Sequence, residues 1–125
     1  MRLAVVDDQQ PILWAFSALM KNTEHETDAF LSGKDAFEAI AKSPGRYGLL
    51  LVDIYLKDED GVSFAKKVRE IQPGIPIIFM TGNVTEEKKK EALLLGRVTF
   101  LEKPFPLVEV IRETIAELVQ NPNQR

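Results

Sequence analysis

Cysteine is absent from this 125-residue sequence, and histidine occurs only once. Without cysteine the chain has no disulfide bond, no thiolate nucleophile and no zinc–thiolate site, which agrees with a reducing compartment. His25 stands in a polar stretch with no second metal ligand nearby in sequence, so a metal or phosphohistidine role is not favoured for it. From the absence of cysteine we expect a cytoplasmic protein.

Long hydrophobic runs and a surplus of positive charge are missing as well. The apolar runs extend over only a handful of residues, whereas a membrane-spanning helix needs roughly 20. The first residues lack the charged and then apolar layout of a signal peptide, so export is not expected. The net charge of −3 and the pI near 5.2 argue against direct nucleic-acid binding by this domain, because such domains carry a basic surface.

Short apolar runs instead alternate with segments of helical periodicity. Five strands are predicted, over residues 3–6, 26–30, 49–52, 75–80 and 98–101. A last amphipathic helix is predicted over residues 107–119. This alternation implies an α/β fold, a doubly wound parallel sheet with right-handed crossovers and helices on both faces. We place one domain at residues 1–120 and treat residues 121–125 as a tail or the start of a linker.

Several helix starts can be assigned from capping residues. Ser32 and Asp35 have the spacing of a capping box, and Asp60 can cap the helix that follows the third strand. Either Asn83 or Thr85 can cap the next helix. That helix is the most polar segment of the chain, so we expect it to be only lightly held.

Three other features are given a structural role alone. The acidic residues 58–60 are interpreted as a solvated loop, with Asp60 as a cap and no metal. Trp14 lies beside the apolar stripe of the first helix, and a packing role is expected for it. The leucines at 93–95 are expected to pack as well.

Polar residues follow four of the five predicted strands at their carboxyl ends. These ends meet at one edge of a parallel sheet, where open α/β sheets bind ligands. We therefore expect that edge to carry Asp7, Asp8, Asp53, Thr81 and Lys103. Three crowded carboxylates repel one another unless a cation neutralises them. Oxygen ligands in this number, completed by water, fit Mg²⁺ better than a dedicated Ca²⁺ site.

A metal held by carboxylates, beside a hydroxyl and an ammonium group, is complementary to a phosphoryl group. Phosphoryl transfer mainly needs in-line positioning and neutralisation of charge, and an aspartate can accept the group as an acyl phosphate. Asp53 is the candidate nucleophile because the strand predicted to be the most buried places it among the other metal-ligand oxygens.

Taken singly, each of these residues has a plainer explanation. Asp7, Asp8 and Asp53 can cap helices. Thr81 can form a turn, and Lys103 can be a solvated surface lysine. Their coincidence at one edge of the sheet favours the chemical interpretation.

The pattern resembles the receiver domains of two-component response regulators over nearly the whole chain. The resemblance rests on four motifs, in the order and at the separations of that family: Asp7-Asp8, Asp53-x-x-Leu56-x-x-x-Asp60-Gly61, Thr81-Gly82 and Lys103-Pro104-Phe105. It implies a flavodoxin-like (CheY-like) sheet in the order 2-1-3-4-5. It also implies Mg²⁺-dependent phosphorylation of Asp53 by a histidine kinase or a phosphotransfer protein, followed by slow self-catalysed hydrolysis. A signalling domain rather than an enzyme is expected.

The resemblance further implies individual roles around the metal. Asp8 and Asp53 are expected to ligate Mg²⁺, with Asp7 helping through a water molecule. Tyr55 is expected to supply its backbone carbonyl.

The resemblance implies roles around the phosphoryl group too. Thr81 and Lys103 are expected to bind phosphoryl oxygens, and the Lys103–Pro104 peptide bond is expected to be cis. Phe100 occupies the aromatic switch position of the family. Phosphorylation is expected to change the face formed by the fourth helix, fifth strand and fifth helix, which would control an output domain or partner, or form a homodimer.

The chain departs from the family pattern in three places. Lys57 stands where proline is usual, Arg97 where alanine is common, and Val98-Thr99 replace the more usual acidic residue before the aromatic. None of these residues belongs to the five at the sheet edge. Activity is therefore still expected, whereas the partner surface is less well defined.

Two other functional classes fit part of the pattern. A phosphatase of the haloacid-dehalogenase kind also uses an aspartate nucleophile and Mg²⁺, but it needs Asp-x-Asp on its first strand. Here Asp7 is followed by Asp8 and Gln9. A pseudo-receiver scaffold would bind partners without phosphate, and the complete set of five residues argues against that class.

Overall fold

The computed structural model describes residues 1–102 together with residues 113, 116 and 117. The described chain forms one sheet of five parallel strands in the order β2-β1-β3-β4-β5. The strands are β1 (Arg2–Val6), β2 (Glu26–Phe30), β3 (Leu49–Asp53), β4 (Ile77–Thr81) and β5 (Val98–Glu102). The helices are α1 (Gln10–Met20), α2 (Gly33–Lys42), α3 (Gly61–Ile71) and α4 (Glu86–Leu93). The predicted flavodoxin-like fold and its strand order are confirmed.

The helix predicted over residues 107–119 lies outside the described residues, apart from residues 113, 116 and 117, which are helical. The predicted tail at residues 121–125 also lies outside them. Within the part of the chain that the structure describes, we find no helix with the length and apolar character needed to cross a bilayer.

The sheet has an apolar core on each face. Successive residues of β1, Leu3 and Ala4, belong to opposite cores, as the two-residue period of a strand requires. The helix α1 covers the face of the sheet that carries Leu3. Its residues Leu13, Phe16 and Met20 make this contact. The helices α2, α3 and α4 cover the other side. Helices therefore lie on both faces, as predicted.

The central strand β3 is buried along its whole length. A parallel strand with neighbours on both sides and helices on both faces is typically a continuous apolar run, which explains the four apolar residues from Leu49 to Val52. The strand ends on Asp53, whose exposed fraction is only 7%. A strand that is buried along its whole length thus carries a carboxylate to the edge of the sheet.

Two sequence interpretations are corrected by the structure. The fourth strand begins at Ile77 rather than at residue 75, because the Ile75 N–H is bonded to the Gln72 carbonyl in a turn and Pro76 has no N–H to donate. Trp14, Leu93 and Leu94 do not pack in the core, since they are 63%, 52% and 86% exposed, whereas Leu95 is partly buried against the core. Trp14 follows the buried Leu13 in α1, and Leu94 is the C-cap residue of α4.

The predicted caps are observed. Ser32 Oγ accepts a hydrogen bond from the Asp35 N–H at 3.2 Å, and Asp60 Oδ1 accepts one from the Val62 N–H at 2.8 Å. Of the two alternatives for α4, Thr85 is the cap, since its hydroxyl accepts the Lys88 N–H at 3.1 Å. These bonds satisfy N–H groups that have no partner inside the helix.

Candidate functional site

Three carboxylates meet at the carboxyl edge of the sheet. Asp7 and Asp8 follow β1, and Asp53 ends the neighbouring strand β3, where Val6 and Val52 lie opposite each other. One carboxylate oxygen from each aspartate lies within 4.8 Å of the other two. Asp7 is fully buried and Asp8 is half-buried. The structure therefore brings together the three acidic residues that the sequence placed at this edge.

Backbone N–H groups hold two of these carboxylates in position. Asp7 Oδ1 accepts the Gln9 N–H at 2.8 Å, and Asp53 Oδ1 accepts the Tyr55 N–H at 2.9 Å. Both bonds span two residues and fix the side chain to its own loop. The N-cap of α1 is Gln9, which makes no side-chain cap bond. The alternative in which Asp7 and Asp8 cap α1 is therefore not observed.

The loop between β3 and α3 folds back tightly against Asp53. The Gly61 N–H donates to the Ile54 carbonyl at 2.7 Å, and Tyr55 pairs with Asp60 in an isolated bridge. A Cβ atom at position 61 would overlap the carbonyl oxygen of Asp53 and lie 2.8 Å from Ile54 Cα. Only glycine fits here, which gives a physical reason for the Asp-Gly pair in the sequence.

The acidic stretch in this loop is more than a solvated segment. The Asp58 carboxylate accepts hydrogen bonds from the Gly33 and Lys34 N–H groups, at 3.3 and 3.2 Å, at the start of α2. Glu59 forms an ion pair with Lys67 at 3.0 Å. Among the described residues, the group of three acidic side chains close enough to share a metal is the one at the sheet edge.

Asp60 has two partners and links two helices. It caps α3, and it also forms an ion pair with Lys88 of α4. Burial raises the pKa of Asp60, but the Lys88 hydrogen bond and the N–H groups of Val62 and Ser63 outweigh it, so that the pKa is lowered overall. The same hydrogen bond raises the pKa of Lys88.

Thr81 ends β4 beside the acidic cluster. It is 1% exposed, and its hydroxyl accepts the Asn83 N–H at 3.2 Å. Phe100 lies on β5 opposite Phe79, and the two rings stack at 5.7 Å. Because Phe79 is two residues before Thr81, Thr81 and Phe100 share one face of the sheet. Lys103 and Pro104, and with them the predicted cis peptide bond, lie outside the described residues.

An open cleft of about 490 Å³ leads to the acidic cluster. Its described lining residues are Asp8, Gln9, Asp53, Tyr55, Lys57, Gly82 and Asn83. The sequence interpretation gave no role at the cleft to Gln9, Lys57 or Asn83. For two of them the sequence holds a signal that could have placed them at the cleft, because Gln9 and Asn83 each lie within three residues of the end of a strand.

Comparison with known proteins agrees with this arrangement. A sequence profile described as Response regulator receiver domain matches residues 3–115. The chain belongs to the response regulator receiver domains. The resemblance noted from the four motifs is thereby confirmed. The receiver is a signalling module of a two-component response regulator, and neither the phosphatase nor the pseudo-receiver class is favoured.

Individual relatives support the same assignment. The chain is 37% identical over 111 residues to the transcriptional regulatory protein DltR of Streptococcus agalactiae, covering 89% of this chain and 49% of that protein. It thus spans about half the length of this curated relative. Among solved structures, the chemotaxis protein CheY4 of Vibrio cholerae matches with a TM-score of 0.83 and 25% identity, covering 93% of this chain and 96% of that one. The beryllofluoride-activated NtrC4 receiver domain dimer matches with a TM-score of 0.87 and 28% identity, covering 97% and 98%.

Proposed function

We propose that this receiver accepts a phosphoryl group on Asp53 from a histidine kinase or a phosphotransfer protein, with Mg²⁺ as cofactor. The observation that carries the proposal is the convergence of three carboxylate oxygens within 4.8 Å at the mouth of a solvent-open cleft. Asp53 is the acceptor because it is a carboxylate that ends a strand buried along its whole length and still lines the cleft.

The donor set fits a hard divalent cation. All of its members are oxygens, and the cleft leaves room for water, as Mg²⁺ requires. Asp8 and Asp53 would hold the metal directly, Asp7 through water and Tyr55 through its backbone carbonyl. When bound, Mg²⁺ would neutralise charge on the carboxylates and on the phosphoryl oxygens.

The chain's own residues position the reacting groups. A carboxylate oxygen of Asp53 forms the new bond to phosphorus, while the bond from phosphorus to the donor's histidine nitrogen breaks and its electron pair stays on that nitrogen. The hydroxyl of Thr81 donates a hydrogen bond to one phosphoryl oxygen, and the ammonium group of Lys103 binds another. The Tyr55 N–H holds Asp53 during the transfer.

The phosphorylated receiver would act through a change of surface. Thr81 and Phe100 form the switch, and the responding face contains α4, β5 and the helix predicted over residues 107–119. That face would control an output domain or a partner, or pair with a second copy of the chain. The dimer of the NtrC4 receiver domain supports the last possibility.

We further propose that the receiver works in the bacterial cytoplasm, contacts neither membrane nor nucleic acid directly, and catalyses only its own phosphorylation and dephosphorylation. Its domain extends over residues 1–120.

Labelling by a small phosphodonor tests the acceptor. Wild-type protein treated with acetyl phosphate and Mg²⁺ should gain one phosphoryl group by intact mass, and Asp53→Asn should gain none, because it keeps the shape and lacks the nucleophile. Asp35→Asn, an exposed change on α2, is the control and should label normally. Equal labelling of wild type and Asp53→Asn would contradict the assignment, and steady release of phosphate from phosphomonoesters would point to a phosphatase.

The metal is tested by calorimetry on the same protein. Asp8→Ala removes one ligand and one charge, so it should abolish detectable Mg²⁺ binding. The proposal fails at this point if Asp8→Ala and wild type bind Mg²⁺ equally tightly.

A further inference from the structure

Lys57 lines the cleft together with the carboxylates of Asp8 and Asp53. It is also one of the three departures from the family pattern, since proline is usual there. We propose that Lys57 is a specificity-determining residue that attracts the anionic phosphoryl donor into the cleft and at the same time weakens Mg²⁺ binding. This inference rests on the proposed phosphoacceptor function.

The backbone around Lys57 is anchored on both sides. Leu56 is buried at 9% exposure in the core under α2 and α3. On the other side, the Asp58 carboxylate is held by the N–H groups of Gly33 and Lys34. The chain at Lys57 therefore has little freedom to leave the cleft, although its side chain is exposed. The position of Lys57 at the cleft is therefore a property of the fold.

Lys57 has no competing ion pair among the described residues. Other lysines nearby are engaged: Lys67 pairs with Glu59, and Lys88 with Asp60. Asp58 is the acidic neighbour of Lys57, but its two oxygens are directed to the start of α2. The ammonium group of Lys57 is thus available to ligands that enter the cleft.

The charges in the cleft give the ammonium group two opposite effects. Lys57 is the one cationic side chain among the described lining residues, which otherwise include the two carboxylates and the neutral Gln9, Tyr55 and Asn83. An anionic donor that approaches three carboxylates is repelled, and a positive charge at the cleft reduces that repulsion. The same positive charge disfavours a divalent cation at the cluster. Loss of the charge must therefore weaken the binding of the anionic donor and strengthen the binding of Mg²⁺.

This opposition separates an electrostatic role from a structural one. Damage to the loop would weaken the binding of both Mg²⁺ and the donor, because the carboxylates would lose their arrangement. Removal of the charge alone changes the two affinities in opposite directions. For a unit charge roughly 8 Å from a divalent cation in water, Coulomb's law predicts about a fivefold effect on the affinity for that cation at low ionic strength, and the effect decreases as salt screens the charges.

The experiment compares Lys57→Gln with wild type, with Lys57→Arg as the charge-conserving variant and Lys66→Gln as a matched control. Lys66 is an exposed lysine on α3 that does not line the cleft. The Mg²⁺ affinity is measured by calorimetry at low ionic strength. The rate of Asp53 labelling is then measured against acetyl phosphate concentration at saturating Mg²⁺.

For Lys57→Gln we expect Mg²⁺ to bind about fivefold tighter and the half-saturating acetyl phosphate concentration to rise about twofold to threefold, with an unchanged maximal rate. Lys57→Arg and Lys66→Gln should resemble wild type. The inference is overturned if Lys57→Gln leaves either quantity unchanged, or if both ligands are weakened together. If wild-type protein is not labelled at all, the proposed function fails and this inference fails with it. If wild-type protein is labelled normally and the Lys57→Gln substitution changes neither quantity, only the inference is refuted.

Discussion

The helices α3 and α4 each follow a strand that ends beside the acidic cluster, yet they are held in different ways. α3 buries Gly61, Val62, Phe64, Ala65 and Val68, whereas the buried residue of α4 is Ala92. Segments with few buried apolar groups open at low free energy. The helix that follows Asp53 is therefore firmly held, and the helix that follows Thr81 is lightly held.

The difference originates in the two sequences. α3 has apolar residues at helical spacing, so packing supplies its stability. α4 is mainly charged, and its local stabilisation comes from the Thr85 cap and from Glu86 and Glu87 in the first turn, where acidic groups favour the helix dipole. The ion pair between Asp60 and Lys88 is a direct bond between the two regions.

The largest expected difference concerns packing. Phe64→Ala should lower the free energy of unfolding by about 3–5 kcal/mol, because it leaves a cavity at a fully buried site in α3. Leu94→Ala, at the end of α4 and 86% exposed, should change it by less than about 0.5 kcal/mol. Urea unfolding of both variants measures this contrast. Similar losses for the two variants would contradict the division into a firmly held and a lightly held helix.

A second contrast uses the two glycines that follow the strands. Gly61→Ala should destabilise by about 3 kcal/mol, since its Cβ overlaps the backbone of Asp53 and Ile54 and the loop must shift. Around the corresponding Cβ position of Gly82 nothing lies within 4 Å, so Gly82→Ala should be tolerated within about 0.5 kcal/mol. Unfolding in urea again provides the measurement. A stable Gly61→Ala protein would show that the loop is less tightly closed than the structure indicates.

The sequence predicted the parts of this arrangement that follow from periodicity. Apolar runs ending in Asp53 and Thr81 were sufficient to place those residues at one edge, and residues 26–30 form the strand that a parallel sheet needed there. The predicted start of β4 was wrong because Ile75, the apolar residue before Pro76, looks in the sequence like part of a continuous strand. A periodic pattern locates the buried face of a helix, but not the exposure of a residue just beside it, such as Trp14.

Contacts between distant loops could not be predicted in this way. The bonds from Asp58 to the start of α2 and from Asp60 to Lys88 join residues more than 20 positions apart, and no spacing rule connects them. The position of Lys57 over the cleft has the same origin. It depends on how its neighbours are anchored, because a loop residue has no periodicity that fixes the direction of its side chain.

The third prediction concerns coupling between the two regions. Thr81→Ala should still accept phosphate on Asp53 but should not transmit the change to α4, because the hydroxyl that would move from the Asn83 N–H to the phosphoryl group is missing. A charge-assisted hydrogen bond contributes about 1.5–3 kcal/mol, which shifts a two-state population roughly tenfold to a hundredfold.

Amide chemical shifts with and without the phosphate mimic beryllofluoride test this coupling. Residues 83–100 should respond in wild type and in the control Thr99→Ala, and should be nearly silent in Thr81→Ala. Phe100 is a useful reporter, since it lies between the Phe79 ring and the Lys89 ammonium group of α4. An undiminished response in Thr81→Ala would show that the signal leaves the site by another route.

The smallest expected effect concerns the ion pair that joins the two helices. Lys88→Gln removes a bond that holds α4 to the cap of α3, so amide exchange in α4 should be about twofold to threefold faster, with little change in α3. Lys90→Gln, an exposed lysine in the same helix, should leave the exchange of α4 nearly unchanged. Equal exchange in wild type and Lys88→Gln would mean that the pair does not restrain α4.

The same pair predicts a pH dependence with a definite sign. The pKa of Asp60 is lowered from 3.8, so the stabilisation from the pair is present above that value and is lost as the pH falls through the pKa of folded Asp60. The pKa of Lys88 is raised from 10.5, so the stabilisation is complete below that value and is lost as the pH rises through the pKa of folded Lys88. The difference in α4 exchange between wild type and Lys88→Gln, corrected for intrinsic exchange rates, should therefore be constant near neutral pH and decrease toward both extremes. A difference that instead decreases between pH values of about 6 and 8 would assign the restraint to another titrating group, since neither partner changes charge in that range.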